Sequence, residues 1–146
     1  MTKLRKFSLS DLDQVIKIEG ISFPNRKSWS REYFKKFYQK YPRGFIVAEN
    51  ESEVMGYAVG KPKNDEAEII SLAINPNFRQ QGIGAELANF LLEHFKKKGT
   101  RKISLRVRTK NKLGIAFYRK AGFEISKKIK NYYQNGDDAY LMRKKI

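Results

Sequence analysis

The 146-residue sequence carries 31 Lys and Arg against 15 Asp and Glu, a formal net charge of +16, with 40% hydrophobic residues and no cysteine. That length predicts one domain over residues 1–146 with a core of its own; the missing cysteines exclude disulfides, thiolate nucleophiles and Cys-ligated zinc, and a single histidine, His94, excludes a histidine-cluster metal site. There is no run of 18 apolar residues and no N-terminal signal segment, so the expectation is a cytoplasmic protein with neither membrane nor metal among its partners.

Residues 3–7 read as a short first strand, and Ser10 as the cap of a helix with Leu12, Val15 and Ile16 on its buried face. Ser30 caps a second helix bearing Phe34, Phe37, Tyr38 and Tyr41, which Pro42 and Gly44 end; most of that aromatic stripe is expected in the core. Residues 45–48 and 54–59 form a strand pair across a polar turn, and residues 61–65 a polar loop. Residues 68–74 form an apolar strand. A helix over 82–98 follows, with Ile83, Leu87, Phe90, Leu91 and Phe95 at helical spacing; His94, beside Phe95, is taken as structural. Ile103, Leu105 and Val107 alternate with Ser104, Arg106 and Arg108, as in a strand with two unlike faces. A helix over 112–120 stops near Gly122, and two strands around Asn135-Gly136 finish the chain. The order β-α-α-β-β-β-α-β-α-β-β gives a mixed α/β sheet.

The most informative stretch is Arg79-Gln80-Gln81-Gly82-Ile83-Gly84, between the strand ending near Ile74 and the helix opening near Gly82. Backbone N–H groups at a helix N-terminus are unpaired and carry roughly half a positive charge, which suits a phosphate. Glycines at 82 and 84 let such a ligand approach the backbone. A P-loop would require Lys followed by Ser or Thr after Gly84, and a dinucleotide loop a third glycine; both are absent. What remains is R/Q-x-x-G-x-G/A, or an ordinary strand–turn–helix with a glycine-rich cap.

That loop resembles the pyrophosphate loop of the GCN5-related N-acetyltransferase (GNAT) superfamily. The likeness runs over nearly the whole chain: Phe23-Pro24 with Ser28-Trp29-Ser30, the strand Ser71-Leu72-Ala73-Ile74, the segment from Asn111 through Ala116 and Tyr118 to Gly122-Phe123, and the closing stretch from Asn131 to Met142. The last points to the branch of ribosomal-protein-alanine and archaeal protein N-terminal acetyltransferases. The resemblance implies a mixed, mostly antiparallel seven-stranded sheet with four helices, whose splayed strands four and five admit acetyl-CoA. It implies that Leu72, Ala73 and Ile74 pair with pantetheine, that Arg79, Gln80, Gln81, Gly82, Ile83, Gly84 and Ala85 hold the diphosphate, and that Asn111 and Tyr118 contact the cofactor. Asn111 has a second role open to it, as a helix cap; Lys120 is close enough in sequence to reach a phosphate but is more simply solvated.

In this family an amine attacks the thioester directly, which needs a deprotonated amine, a polarised carbonyl and a proton for the departing thiolate. Tyr118 matches the family's general acid, and a phenol is protonated at neutral pH. The base departs from the pattern. Relatives carry Leu-Glu-Val-Arg in strand five, whereas this chain has Leu105-Arg106-Val107-Arg108, and arginine accepts no proton. Glu68 stands where some N-terminal acetyltransferases carry a catalytic histidine, so it is assigned the base role through water, with Arg106 as its ion-pair partner.

The substrate implied is a protein or peptide N-terminus, lying between Phe23-Pro24 and Tyr132-Tyr133, with Arg106 suited to an acidic second residue. Acid–base arithmetic agrees. Roughly one α-amine in ten is neutral at pH 7 against about one lysine in 2,500, a difference of roughly 3.4 kcal/mol. Rival readings are an acetyltransferase for lysine, polyamine or another small amine, and a catalytically weak acyl-CoA- or RNA-binding protein associated with the ribosome. The latter draws on the charge distribution: residues 96–146 hold 17 Lys or Arg against 3 Asp or Glu.

Overall fold

Hydrophobic runs bounded by turn residues become seven strands and four α-helices in the computed structural model, which describes residues 2–23, 30–51 and 53–146. In chain order these are β1 (Lys3–Lys6), α1 (Leu12–Ser22), α2 (Arg31–Lys40), β2 (Phe45–Glu49), β3 (Val54–Lys63), β4 (Glu66–Ile74), α3 (Ile83–Lys97), β5 (Lys102–Arg108), α4 (Lys112–Lys120), β6 (Glu124–Ile129) and β7 (Ala139–Lys145). The sheet order is β1-β2-β3-β4-β5-β7-β6, with β4 and β5 parallel in a mostly antiparallel sheet. The element order expected from the sequence is the one observed. Among the described residues no helix is long and apolar enough to cross a membrane. The chain divides into two compact units, residues 1–61 with 71–91, and residues 62–70 with 92–146.

In the first unit, β1 pairs with β2 and β2 with β3, all antiparallel. Phe7 and Phe45 stack with centroids 3.9 Å apart, Phe34 meets Tyr57 edge-on at 5.9 Å, and all four are fully buried or nearly so. Of the aromatic stripe on α2, Phe34 and Phe37 are core, whereas Tyr38 and Tyr41 are half-buried. Ser30 caps α2 as expected, accepting a hydrogen bond from the Tyr33 amide. The first helix departs from expectation. Ser8, not Ser10, opens it: Asp11 accepts from the Ser8 amide at 2.8 Å, and a short 3-10 turn over Leu9–Asp11 leads into α1. Asp11 wins because its buried carboxylate is also gripped by both Arg5 nitrogens at 2.8 Å, while Arg5 reaches Glu49 at 2.9 Å. Ile18 rather than Ile16 completes the buried face of α1. Phe90, although in helical register with Leu87 and Leu91, is 38% exposed.

In the second unit, β7 pairs antiparallel with β5 along its whole length, and β6 pairs with β7 through a bulge between Ile125 and Lys127. The β4–β5 register runs from Ala67 opposite Ile103 to Ile69 opposite Leu105. One expectation needs correcting. The polar loop expected over 61–65 shrinks, because β3 continues to Lys63 and a turn at Asn64, with φ of +58°, leads straight into β4. The two unlike faces expected of β5 are present: Ile103, Leu105 and Val107 are buried, whereas Arg106 and Arg108 on the other face are half-buried beside a buried Ser104.

Backbone crowding in the first unit gives a direct test. A Cβ on Gly44 would stand 2.1 Å from the Gly60 carbonyl oxygen, whereas one on Gly20 in α1 would meet nothing within 4 Å. Gly44→Ala is expected to destabilise by about 1–3 kcal/mol, as overpacking does. Gly20→Ala is expected to be stabilising by up to about 1 kcal/mol, through helix propensity. Urea denaturation of both variants checks the pair.

Candidate active site

The loop between β4 and α3 is built by its own turn chemistry. β4 ends as the Asn75 amide donates to the Met55 carbonyl at 2.8 Å, and the Asn75 side chain accepts from the Asn77 amide at 3.1 Å. A 3-10 turn over Pro76–Phe78 follows, and Arg79 Nε donates back to the Ile74 carbonyl at 3.3 Å. Gln80 and Gly82 then adopt φ of +64° and +81°. The first helical hydrogen bond of α3 runs from the Glu86 amide to the Gly82 carbonyl at 3.1 Å, so the amides of Ile83, Gly84 and Ala85 precede any intrahelical acceptor. A Cβ on Gly82 would meet nothing within 4 Å, so the backbone there is open to an approaching group. Residues 75–85 contain no carboxylate. An open, acid-free turn of N–H donors at the start of a 15-residue helix suits a diphosphate.

Along β4, Ala73 is buried while Leu72 and Ile74 are half-buried, and Ser71 shares a buried hydrogen bond with the Tyr57 hydroxyl at 2.9 Å. Gly56 on β3 permits this packing. A Cβ there would stand 2.9 Å from the Ala73 carbonyl oxygen and 2.7 Å from Ile74 Cδ1.

In the second unit Glu68 pairs in register with Ser104, which puts Arg106, two residues on, on the same face of β5. Arg106 Nη1 donates to Glu68 Oε2 in an ion pair whose carboxylate side chain is 7% exposed. The pairing expected from the sequence is therefore present. Arg106 Nε is buried without a hydrogen-bond partner, and the guanidinium carbon lies 5.5 Å from the Tyr132 ring centroid. Tyr118 is half-buried on α4, edge-on to Phe117 at 5.0 Å and to Phe123 at 5.7 Å. Both ends of its helix are fixed. Asn111 caps the start by accepting from the Gly114 amide at 2.9 Å; Gly122, with φ of +98°, turns the chain so that the Phe123 amide donates to the Tyr118 carbonyl at 2.9 Å. Of the two roles open to Asn111, the cap is the one seen. Lys120 is exposed.

The connection between β6 and β7 contains a network that sequence reasoning missed. Asp137 accepts from Arg108 and Lys110, each at 3.0 Å, and Arg108 also donates to Asn135 at 3.1 Å while its guanidinium lies 3.9 Å from the Tyr133 ring centroid. Asp138 accepts from the Asn131 amide at 2.9 Å. The signal was available: Asp137 and Asp138 are two of only three acids in residues 96–146. Tyr132 and Tyr133 pack edge-on at 5.0 Å. Phe23 is half-buried and closes α1 through its amide's bond to Glu19 at 2.8 Å, while Pro24 lies outside the described residues.

The sequence model described as "Acetyltransferase (GNAT) family" matches residues 12–123. An uncharacterized N-acetyltransferase of Methanocaldococcus jannaschii is 37% identical over 143 residues, covering 97% of this chain and 90% of that protein. An N-alpha-acetyltransferase of Sulfolobus acidocaldarius is 31% identical over 153 residues, covering 96% of this chain and 90% of its own. Among solved structures, Naa50 of Arabidopsis thaliana in complex with the bisubstrate analogue CoA-Ac-MVNAL superposes with a TM-score of 0.86 at 27% identity, covering 99% of each chain.

The Asp137 network carries a pH dependence. Hydrogen bonding from Lys110, followed by Asn135 and the charges of Lys110 and Arg108, holds the Asp137 carboxyl below the usual 3.8. A depressed carboxylate stabilises the fold fully above its unfolded value, and that contribution is lost as pH falls through the lower folded one. The protection factors of the Tyr133 and Gly136 amides, taken by NMR against the intrinsic exchange rate at each pH, are expected to be high at pH 6 and to fall as pH drops below about 4. Asp137→Asn is expected to remove that dependence and raise exchange at pH 6.

Proposed function

We propose that this chain, which belongs to the acetyltransferase (GNAT) family and takes its acetyl group from acetyl-CoA, passes it to the α-amine of a protein or peptide N-terminus. The observation that carries this reading is the ion pair of Glu68 with Arg106 in place of an unencumbered strand-five carboxylate. A carboxylate already holding a guanidinium has part of its acceptor capacity occupied, and is suited to an amine that needs little help. The α-amine is such an amine; lysine is not. The Sulfolobus relative, an N-alpha-acetyltransferase, and the Naa50 complex support the same choice.

Acetyl-CoA supplies an activated acetyl group and a sulfur leaving group. The amides of residues 82–85, with Arg79, Gln80 and Gln81 beside them, hold its diphosphate, and the backbone of Leu72, Ala73 and Ile74 aligns its pantetheine arm. Glu68 takes up, through water, the proton that the α-ammonium must lose. Tyr118 gives its phenolic proton to the departing sulfur. Tyr132 and Tyr133 offer hydroxyls to the peptide backbone, and Arg106 orients Glu68.

Incubation of a free-N-terminus peptide library with acetyl-CoA, read by mass spectrometry, is expected to show α-acetylation. Reaction confined to N-terminally blocked, lysine-containing peptides would overturn the proposal. Tyr118→Phe is expected to lower kcat about 100-fold, within the range of a lost general acid. Glu68→Gln is expected to lower kcat/KM at pH 7 and to approach the parent rate above about pH 8, where the α-amine is already neutral. A deficit unchanged across that range rules out the base role, and thermal melts establish that both variants are folded.

A further inference from the structure

Within the second unit, α4 and the β6–β7 pair enclose a cleft of about 310 Å³ lined by Lys112, Ile115, Ala116, Arg119, Ile125 and Tyr140. Such a volume lies at the small end of ligand clefts, which run roughly 300–1,000 Å³. Its floor is aliphatic and aromatic and its rim cationic. Lys112, Ala116 and Arg119 recur at helical spacing on one side of α4. Asn111 and Tyr118 point roughly 100–120° away around the same helix, at 100° per residue. Lys128 stands directly opposite Tyr140 in the β6–β7 ladder.

The rim is not neutralised from within. Helix α4 contains no acid, and none of the ion pairs among the described residues involves Lys112 or Arg119. The three acids of residues 96–146 are engaged elsewhere: Asp137 with Arg108 and Lys110, Asp138 with Lys128 at 3.6 Å, and Glu124 across the ladder from Arg143. The positive end of the helix dipole adds to Lys112. A cofactor with a few phosphates leaves most of the 17 Lys and Arg of this stretch unexplained.

We infer that this cleft docks single-stranded nucleic acid, with a base against Tyr140 and Ile125 and flanking phosphates on Lys112 and Arg119. An apolar floor between cations seven residues apart, about 10.5 Å along the helix, matches a chain that alternates planar rings with charges. An acidic peptide would use the rim but has no ring to fill the floor. The inference does not depend on which amine is acetylated.

The test is fluorescence anisotropy of a labelled 12-nucleotide oligouridine and its DNA counterpart on the full chain, over a salt series. The two phosphate contacts predict a slope of log K against log salt of about −1.4. Lys112→Ala with Arg119→Ala is expected to weaken binding at least tenfold and flatten the slope by about 1.4, at roughly 0.7 per contact. Ala116→Glu, which sets a carboxylate at the cleft, is expected to weaken binding as much while leaving acetyl transfer unchanged. Whichever oligonucleotide binds tighter identifies the sugar. Equal weakening by Lys96→Ala with Lys97→Ala, equal affinity for a glutamate oligopeptide, displacement by micromolar coenzyme A, or a salt-independent signal would each overturn it.

Discussion

Arg106 lies against a Glu68 carboxylate that is only 7% exposed, and the chemistry of the second unit follows from that contact. Neither group escapes it cheaply. An arginine keeps its charge at any physiological pH, and a buried carboxylate stripped of its partner costs on the order of 3–5 kcal/mol. The register makes the contact unavoidable: with Glu68 opposite Ser104, the side chain two residues along β5 falls on the same face. The usual strand-five carboxylate is thus exchanged for a cation without losing a carboxylate from the neighbourhood. What changes is the strand that supplies it and how firmly it is held.

The arrangement repeats one step along. Arg106 and Arg108 project from the same face of β5, each is bonded to an acid, Glu68 or Asp137, and each lies against a tyrosine, Tyr132 or Tyr133. An arginine that stacks and pairs at once loses less freedom per contact than a lysine would, because its fork is planar and pre-organised. The two layers tie residues 131–138 to β5. The tyrosines proposed to receive the peptide are therefore anchored to the strand that orients the base. Arg106 Nε, a buried donor without a hydrogen-bond partner, belongs to the layer that carries Glu68. A buried donor of that kind is tolerated where the local arrangement serves something other than stability.

Element order was legible because its signals are local: helical spacing of Leu87, Leu91 and Phe95, the Ser30 cap, and the glycines that end α3 and α4. The turn before α3 was legible for the same reason, since positive φ at Gly82 and the helix start are written within six residues. Three features were not. Ser8 opens α1 only because Arg5 and Glu49, 44 residues apart, gather around Asp11. The exposure of Phe90 and the burial of Ser104 depend on what packs against them, which periodicity does not encode. The Asp137 network needs β5 beside β7, a pairing set by sheet order. Local chemistry could be read; of the long-range partners only Glu68 with Arg106 was, and that through the family resemblance.

The charge asymmetry bears on the acceptor amine as well as on polyanions. A site within a strongly basic stretch disfavours a bound ammonium, so the field lowers an acceptor's tendency to hold its proton. An α-amine starts within about a unit of neutrality, whereas a lysine starts more than three units off. On the proposed α-amine reading the demand on Glu68, the proposed base, is correspondingly small, although its carboxylate is committed to Arg106. The cationic surroundings and the arginine-bound carboxylate are, in that proposal, two halves of one solution: the arginine in strand five is tolerable because an α-amine would arrive almost ready to react.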